Sequence, residues 1–280
     1  MTEHLKDKGS KLQTIIAGST AGLVSRFVVA PLDVIKIRLQ LQSHSLDIVR
    51  DEGFTALWKG NVPAEIMYMV YSAAQFTAYR ATAEAIRPYL GDNRTNPRIE
   101  AQIAWIAGTV AGLAGTTMSY PLDLLRTRFA AQGNDRVYKS FFRAFGEIYR
   151  DEGLQGFFRG IVPTLLNAGP GMGIYFLTYE ALRPLTFIAK TTVFPLDIVR
   201  KRMQVQGPTR GKYIHKNIPE YTSTMGAIRT ILATEGIRGL YRGLFVTLLK
   251  HAPSSGVTLW VYESTLRNLI KLDNAAERNI

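Results

Sequence analysis

Pro31-Leu32-Asp33-Val34-Ile35-Lys36 returns as Pro121-Leu122-Asp123-Leu124-Leu125-Arg126 and again as Pro195-Leu196-Asp197-Ile198-Val199-Arg200. Each copy places a cation three residues after the aspartate. Farther along, each is trailed by Glu-Gly and an aromatic-cation-Gly box: Glu52-Gly53 with Trp58-Lys59-Gly60, Glu152-Gly153 with Phe158-Arg159-Gly160, and Glu235-Gly236 with Tyr241-Arg242-Gly243. In every copy the closing glycine lies 7 residues after the glycine of Glu-Gly. Self-similarity on this scale outranks any single-site reading and makes the chain a threefold repeat.

Around the boxes lie segments suited to a bilayer. Ala101 to Leu122 and Ile161 to Tyr179 contain no charged residue, and Asn61 to Tyr79 contains only Glu65; such lengths can span a hydrocarbon core about 30 Å thick. Mean hydropathy is nevertheless close to zero, as expected of helices that meet lipid on one side and water on the other. Each repeat reads as a helix entering Pro-Leu-Asp, a polar connection, a short amphipathic helix around Glu-Gly, and a second spanning helix after the box. The expected fold is an all-α membrane protein with six transmembrane helices in three pseudo-threefold repeats. All 280 residues form one domain, with repeat 1 at about 12–90, repeat 2 at about 98–184 and repeat 3 at about 185–270.

A proline within a helix lacks an amide hydrogen and obstructs the preceding turn, so a kink is expected at Pro31, Pro121 and Pro195. Such a kink tips the following aspartate and cation toward the bundle axis. Gly18 and Gly22 on the first helix, and Gly108, Gly112 and Gly115 on the third, are spaced for close helix approach.

The net charge of +12 has two open readings: basic loops meeting anionic headgroups, and a basic cavity that attracts anions. The basic residues are spread over loops and boxes and form no nucleic-acid-binding module, so no nucleic-acid partner is expected. With 0 cysteines, neither a disulfide framework nor a thiolate metal site is possible. The 4 histidines have no metal-ligand spacing, and Ser254-Ser255 near His251 lacks a nucleophile's strand-turn-helix setting, so neither a metal nor an enzyme is expected. Met1 to Lys11 is polar with both signs of charge, unlike a secretory signal or a transit peptide, so targeting is expected to be internal.

Three acids and three cations at equivalent turns of symmetry-related helices can pair cyclically: Asp33 with Arg126, Asp123 with Arg200, Asp197 with Lys36. A pair about 4 Å apart attracts by about 4 kcal/mol at an effective dielectric of about 20, before desolvation is subtracted. Gln40 and Gln204 lie nine residues beyond their prolines and can brace such pairs, while Ala130 holds the third equivalent position.

On the signature Pro-x-Asp-x-x-cation, Glu-Gly and aromatic-cation-Gly, complete in all three repeats, the chain resembles the mitochondrial carrier family from about Leu12 to Arg267. The resemblance implies a multi-pass carrier of the mitochondrial inner membrane, expected as a monomer, with the short amphipathic helices on the matrix side. It implies a matrix gate of Asp33, Lys36, Asp123, Arg126, Asp197 and Arg200 braced by Gln40 and Gln204, and a central site reached alternately from either face. It also implies cardiolipin as a structural lipid at Trp58, Lys59, Gly60, Phe158, Arg159, Gly160, Tyr241, Arg242 and Gly243, where amides at a helix start attract phosphate. The family's cytoplasmic gate is an aromatic-acid-x-x-cation motif. Tyr179-Glu180 with Arg183 fits it fully, Tyr262-Glu263 has Leu266 at the cation position, and Tyr79-Arg80 with Ala83 fits poorly, so this gate is expected to be the weaker one.

Substrate contacts in the family fall seven residues after the closing glycine, here Met67, Asn167 and Lys250 with neighbours Ala168 and His251, and five before each proline, here Arg26, Thr116 and Lys190. Arg26, Lys190 and Lys250 would then stand as unpaired cations at mid-membrane against Glu65 alone, which calls for an anion. Tyr68, Tyr71, Tyr175 and Trp260 could stack on a flat ring. Three stretches, Ala189 to Asp197, Arg200 to Gly207 and Leu248 to Ser255, are similar to the family's thiamine diphosphate carriers of fungi. That similarity implies transport of thiamine diphosphate (thiamine pyrophosphate), by antiport against nucleotides, with no cofactor; adenine nucleotides or coenzyme A fit the same cations. A non-transporting scaffold or receptor would need a broken gate signature, and all three copies are intact.

Two internal lengths depart from the repeat. Gly60 to Pro121 is 61 residues but Gly160 to Pro195 only 35, and Pro31 to Gly60 is 29 against 39 and 48 in the other repeats. The fifth helix and the first matrix loop therefore look shortened, the helix by about 26 residues. The natural chain is expected to carry further residues near Ser43–Asp47 and Pro184–Ile188. An intact mass above 31.2 kDa for the cellular protein is the expected outcome; a match to that value would refute the idea.

Overall fold

The computed structural model describes residues 11–41, 48–90, 97–133, 137–167, 185–213 and 218–278. They form helices and connecting turns, with no strand among the described residues. Helix α1 (Lys11–Leu41) leads to a short α2 (Ile48–Glu52), a 3-10 turn (Phe54–Trp58) and α3 (Asn61–Leu90). Repeat 2 follows with α4 (Pro97–Ala131), α5 (Phe141–Gly156) and a helical start over 161–167. Repeat 3 has α6 (Leu185–Gln204), a 3-10 turn (Arg210–Lys212), α7 (Thr224–Gly239), α8 (Leu244–Leu249) and α9 (His251–Arg278).

Pro31, Pro121 and Pro195 lie inside α1, α4 and α6, and each helix continues through its proline. α1 has 31 residues, α4 has 35 and α6 has 20. In repeats 2 and 3 the short helices begin on serine caps: Ser140 accepts from the Arg143 amide and Ser223 from the Gly226 amide. Such caps satisfy amides that no helical carbonyl can reach. Among the described residues, repeat 1 has the 5 residues of α2 where repeats 2 and 3 have 16.

α3 packs along α4, α9 packs along α1, and α1, α4 and α6 meet one another. The first and last helices are tied by Ser25, whose hydroxyl donates to the Ser254 carbonyl at 3.0 Å. Close approach in the first helix uses Ala17 and Ala21, both buried, and a Cβ added at Gly18 or Gly22 would meet nothing within 4 Å. The expectation for those two glycines is therefore corrected: they turn away from the helix contact. Gly115 does pack closely, with the Tyr71 ring 3.1 Å from where its Cβ would stand. Large apolar side chains such as Phe27, Phe76, Met118 and Trp260 point outward, the pattern of a lipid-facing surface.

Below the latches, the short helices are clamped to the bundle. Arg38 Nη2 donates to Glu52 at 2.8 Å and to the Gln132 carbonyl at 2.9 Å, and Nε to the Ala130 carbonyl at 3.0 Å. Arg128 repeats this with Glu152 at 3.0 Å and the Gln204 and Gln206 carbonyls at 3.0 Å. Arg202 does so with Glu235 at 2.8 Å and the Gln40 carbonyl at 3.1 Å. Each arginine thus holds its own repeat's Glu-Gly acid and the carbonyl end of the next repeat's helix, where unpaired acceptors and the helix dipole favour a cation.

The glycine that closes each box is needed for its backbone. Gly60, Gly160 and Gly243 have φ of 86°, 80° and 79°, a region that side chains disfavour. At Gly60 an added Cβ would also stand 2.7 Å from the Arg126 carbonyl oxygen. Gly60→Ala is therefore expected to destabilise the fold by about 1–3 kcal/mol, read as a lowered unfolding temperature in detergent.

Burial pushes the Glu52 carboxyl up, and hydrogen bonds from Arg38 and Lys59 more than offset it, so the group titrates below its ordinary range. Glu235 is lowered in the same way by Arg202 and Arg242. A depressed folded-state value means stability that is fully present above the unfolded carboxylate range, about 4.3, and is lost as pH falls through the folded value. Unfolding temperature is expected to drop on acidification below about pH 4.3. Glu52→Gln should lower stability at neutral pH and flatten that acid limb.

Candidate functional site

The helix segments after the three prolines bring the six signature charges together. Arg126 Nη2 donates to Asp33 at 2.6 Å, Arg200 Nη2 to Asp123 at 2.7 Å, and Lys36 Nζ to Asp197 at 2.8 Å. Every bond joins one repeat to another. The Gln40 amide donates to Asp197 at 2.9 Å, and the Gln204 amide donates to Asp123. Three ion pairs and two braces close one end of the bundle, the end that bears α2, α5 and α7.

One cation at this gate has no counterpart in the repeat signature. Lys201 Nζ lies 3.2 Å from both oxygens of Asp123 and 3.0 Å from the Thr127 hydroxyl. The equivalent positions hold Ile37 and Thr127, so repeat symmetry carries no signal for it. Arg38, Arg128 and Arg202 also went unread in the sequence, although their common place seven residues after each proline is a signal that could have found them.

Against the paired charges lies a cavity of about 350 Å³. Met67, Tyr71, Thr116, Asn167 and Lys250 line it, together with Tyr68, Ser119, Thr164 and the gate charges. Its walls hold Asp33, Asp123 and Asp197 against Lys36, Arg126, Arg200, Lys201 and Lys250. The carboxylates are outnumbered, so an anion entering meets a positive field in a low-dielectric setting, where such charges act strongly.

The expectation of unpaired cations is corrected at two positions. Arg26 Nε stands 4.0 Å from Glu65, and its guanidinium lies 3.1 Å from the centroid of the Tyr68 ring; neither Arg26 nor Glu65 is a wall of the cavity. Lys250 bonds Asp33. Mid-membrane charges find partners because leaving them alone in low dielectric costs more than ordering the pair. Arg26 thus covers one face of Tyr68, and Trp260 is exposed at 71% and is not a wall of the cavity. Ala168 and Tyr175 lie outside the described residues, as do the side chains of Lys190 and His251.

At the opposite end, Tyr179, Glu180 and Arg183 lie outside the described residues. Arg80 is exposed. Glu263 takes its cation from Arg267, at 3.3 Å within one helix, rather than from position 266, whose leucine is buried. The box aromatics pack on the neighbouring helices: Trp58 donates to the Phe27 carbonyl at 3.0 Å, Phe158 stacks on Tyr120 and Tyr241 on Phe194. Lys59, Arg159 and Arg242 pair with Glu52, Glu152 and Glu235.

The chain matches the mitochondrial carrier protein family over residues 7–89, 98–187 and 185–273. It is 51% identical over 323 positions to mitochondrial thiamine pyrophosphate carrier 1 of Pyricularia oryzae, covering 99% of this chain and 98% of the relative. The protein of that name from Aspergillus oryzae is 49% identical over 317 positions, covering 98% of each chain. The one from Neurospora crassa is 48% identical over 323 positions, covering 98% of this chain and 96% of the relative. These alignments are longer than the 280 residues of this chain, so the relatives carry additional residues inside the matched span. With a threefold signature, a cyclic ring of acid-base pairs and family matches across nearly its whole length, the chain belongs to the mitochondrial carrier family, the six-helix multi-pass transporters, not enzymes, of the mitochondrial inner membrane.

Proposed function

We propose that this carrier moves thiamine diphosphate across the inner membrane, in exchange for nucleotides, by alternating access. The observation that carries the reading is the excess of cations over carboxylates on the walls of the central cavity, which suits a diphosphate. The names of relatives about half identical along their length support the same cargo. Lys250, Asn167 and Thr116 would meet the diphosphate and Tyr71 the ring system. Glu65 has one carboxylate oxygen buried with no hydrogen-bond partner among the described residues, which suits the cationic part of thiamine once Arg26 shifts. The cargo offsets the cost of parting the Asp–cation ring because its contacts form best in the occluded state.

The backbone amides opening α3, the helical segment 161–167 and α8, next to Gly60, Gly160 and Gly243, are proposed to hold cardiolipin phosphate. The box cations, paired with glutamates, would serve the clamp. Tyr79, Arg80, Tyr179, Glu180, Arg183, Tyr262 and Glu263 are proposed to form the weaker cytoplasmic gate of a monomer. The two short segments are read as places where the natural chain is longer, which the length of the alignments supports.

Purified protein in liposomes loaded with adenine nucleotide should take up labelled thiamine diphosphate. Lys250→Ala should abolish that uptake while cardiolipin binding persists. Fast nucleotide or coenzyme A exchange with no thiamine diphosphate uptake would overturn the assignment of cargo.

A further inference from the structure

The three gate carboxylates are not held alike. Asp197 takes Lys36 at 2.8 Å and the Gln40 amide at 2.9 Å. Asp123 takes Arg200 at 2.7 Å, Lys201 at 3.2 Å and the Gln204 amide. Asp33 takes Arg126 at 2.6 Å through Oδ2, but the brace position of its latch is Ala130, which is buried and has no polar side chain. Its other oxygen, Oδ1, is held instead by the Lys250 ammonium. Lys250 is also a wall of the cavity and comes from the third repeat, at the junction of α8 and α9.

We propose that Lys250 is the missing brace of the Asp33 latch, and that capturing a diphosphate group takes it away from Asp33, so that this latch opens first. The proposal rests on the preceding reading only in requiring a diphosphate-bearing cargo. An ammonium on a flexible four-carbon stem carries its charge to whichever anion offers more. A diphosphate offers more negative charge and more acceptors than one oxygen of a carboxylate whose other oxygen is held by Arg126. Gln40 and Gln204 are neutral amides with no such attraction, and Lys201, the further cation on Asp123, is less accessible than Lys250, at 8% against 21% exposed, and is also held by Thr127 and Gln204. Only a contact that differs between two states can shift their balance, and the Lys250 contact differs in that way. Binding and gate release then draw on one side chain, and the cavity cannot engage it fully while the Asp33 latch stays braced.

The test is a double-mutant cycle on the purified full chain, with inorganic diphosphate and thiamine diphosphate as separate probes. Asp33→Asn frees Lys250, and is expected to tighten inorganic diphosphate binding on the order of tenfold by calorimetry. In the Lys250→Met background the same substitution should tighten binding far less. An equal factor in both backgrounds means the gain comes from charge removal or Arg126, and overturns the proposal. Without ligand, each substitution should lower the unfolding temperature, and the double variant should lose less than the sum; additive losses overturn it too. Where Lys250→Met does not fold, Lys250→Gln replaces it in the cycle. Wild-type protein that binds inorganic diphosphate but ignores thiamine diphosphate would sink the cargo assignment while leaving this coupling to be judged by the cycle. Wild-type protein that binds neither overturns the coupling.

Discussion

Each aspartate of the Pro-Leu-Asp signature finds its cation on another repeat, and that requirement organises the rest. Asp33, Asp123 and Asp197 each look to a cation one repeat away, so the order of repeats around the axis is set by which pairs can form. A lone charge in a membrane interior is costly, and breaking one partner of a buried pair costs more than the pair contributes. The helices therefore close as a ring or leave several charges stranded. The same cyclic logic is repeated beneath it by Arg38, Arg128 and Arg202, each bridging its own glutamate and the next repeat's terminal carbonyls.

The two layers differ in what they can do. The clamp arginines Arg38, Arg128 and Arg202 are 4%, 0% and 3% exposed, while the gate cations Lys36, Arg126 and Arg200 are 16%, 12% and 20% exposed. Clamp bonds end on backbone carbonyls as well as carboxylates, so exchange of partner would leave buried acceptors unsatisfied. Gate bonds end on carboxylates that also face the cavity, where water or an anionic ligand can take over a cation. A permanent frame and a breakable latch thus come from the same residue types, separated by their access to solvent.

Much of the fold was legible because symmetry is a strong constraint. Once Pro-Leu-Asp-x-x-cation recurs three times, cyclic pairing is the arrangement that treats all three copies alike, and the two glutamine braces follow from their common offset. The rest escaped where a residue breaks the symmetry or depends on which way a helix face turns. Lys201 has Ile37 and Thr127 as its counterparts. Spacing leaves Lys250 and Arg26 without partners because pairing across helices is invisible from spacing within them. Gly18 and Gly22 carry a familiar spacing, yet the neighbouring alanines are the ones that face the partner helix.

The sequence by itself determined the threefold architecture, the six gate charges and their partners, because a repeat read three times specifies both the positions and the symmetry relating them. Only the tertiary structure decided which cations remain for a ligand and which are spent on the protein. Rotation of each helix about its axis, set by packing against two neighbours, fixes where a side chain ends. A lysine seven residues past a glycine could have faced an empty pocket; in the folded bundle it reaches Asp33, since Ala130 leaves that carboxylate without a second donor.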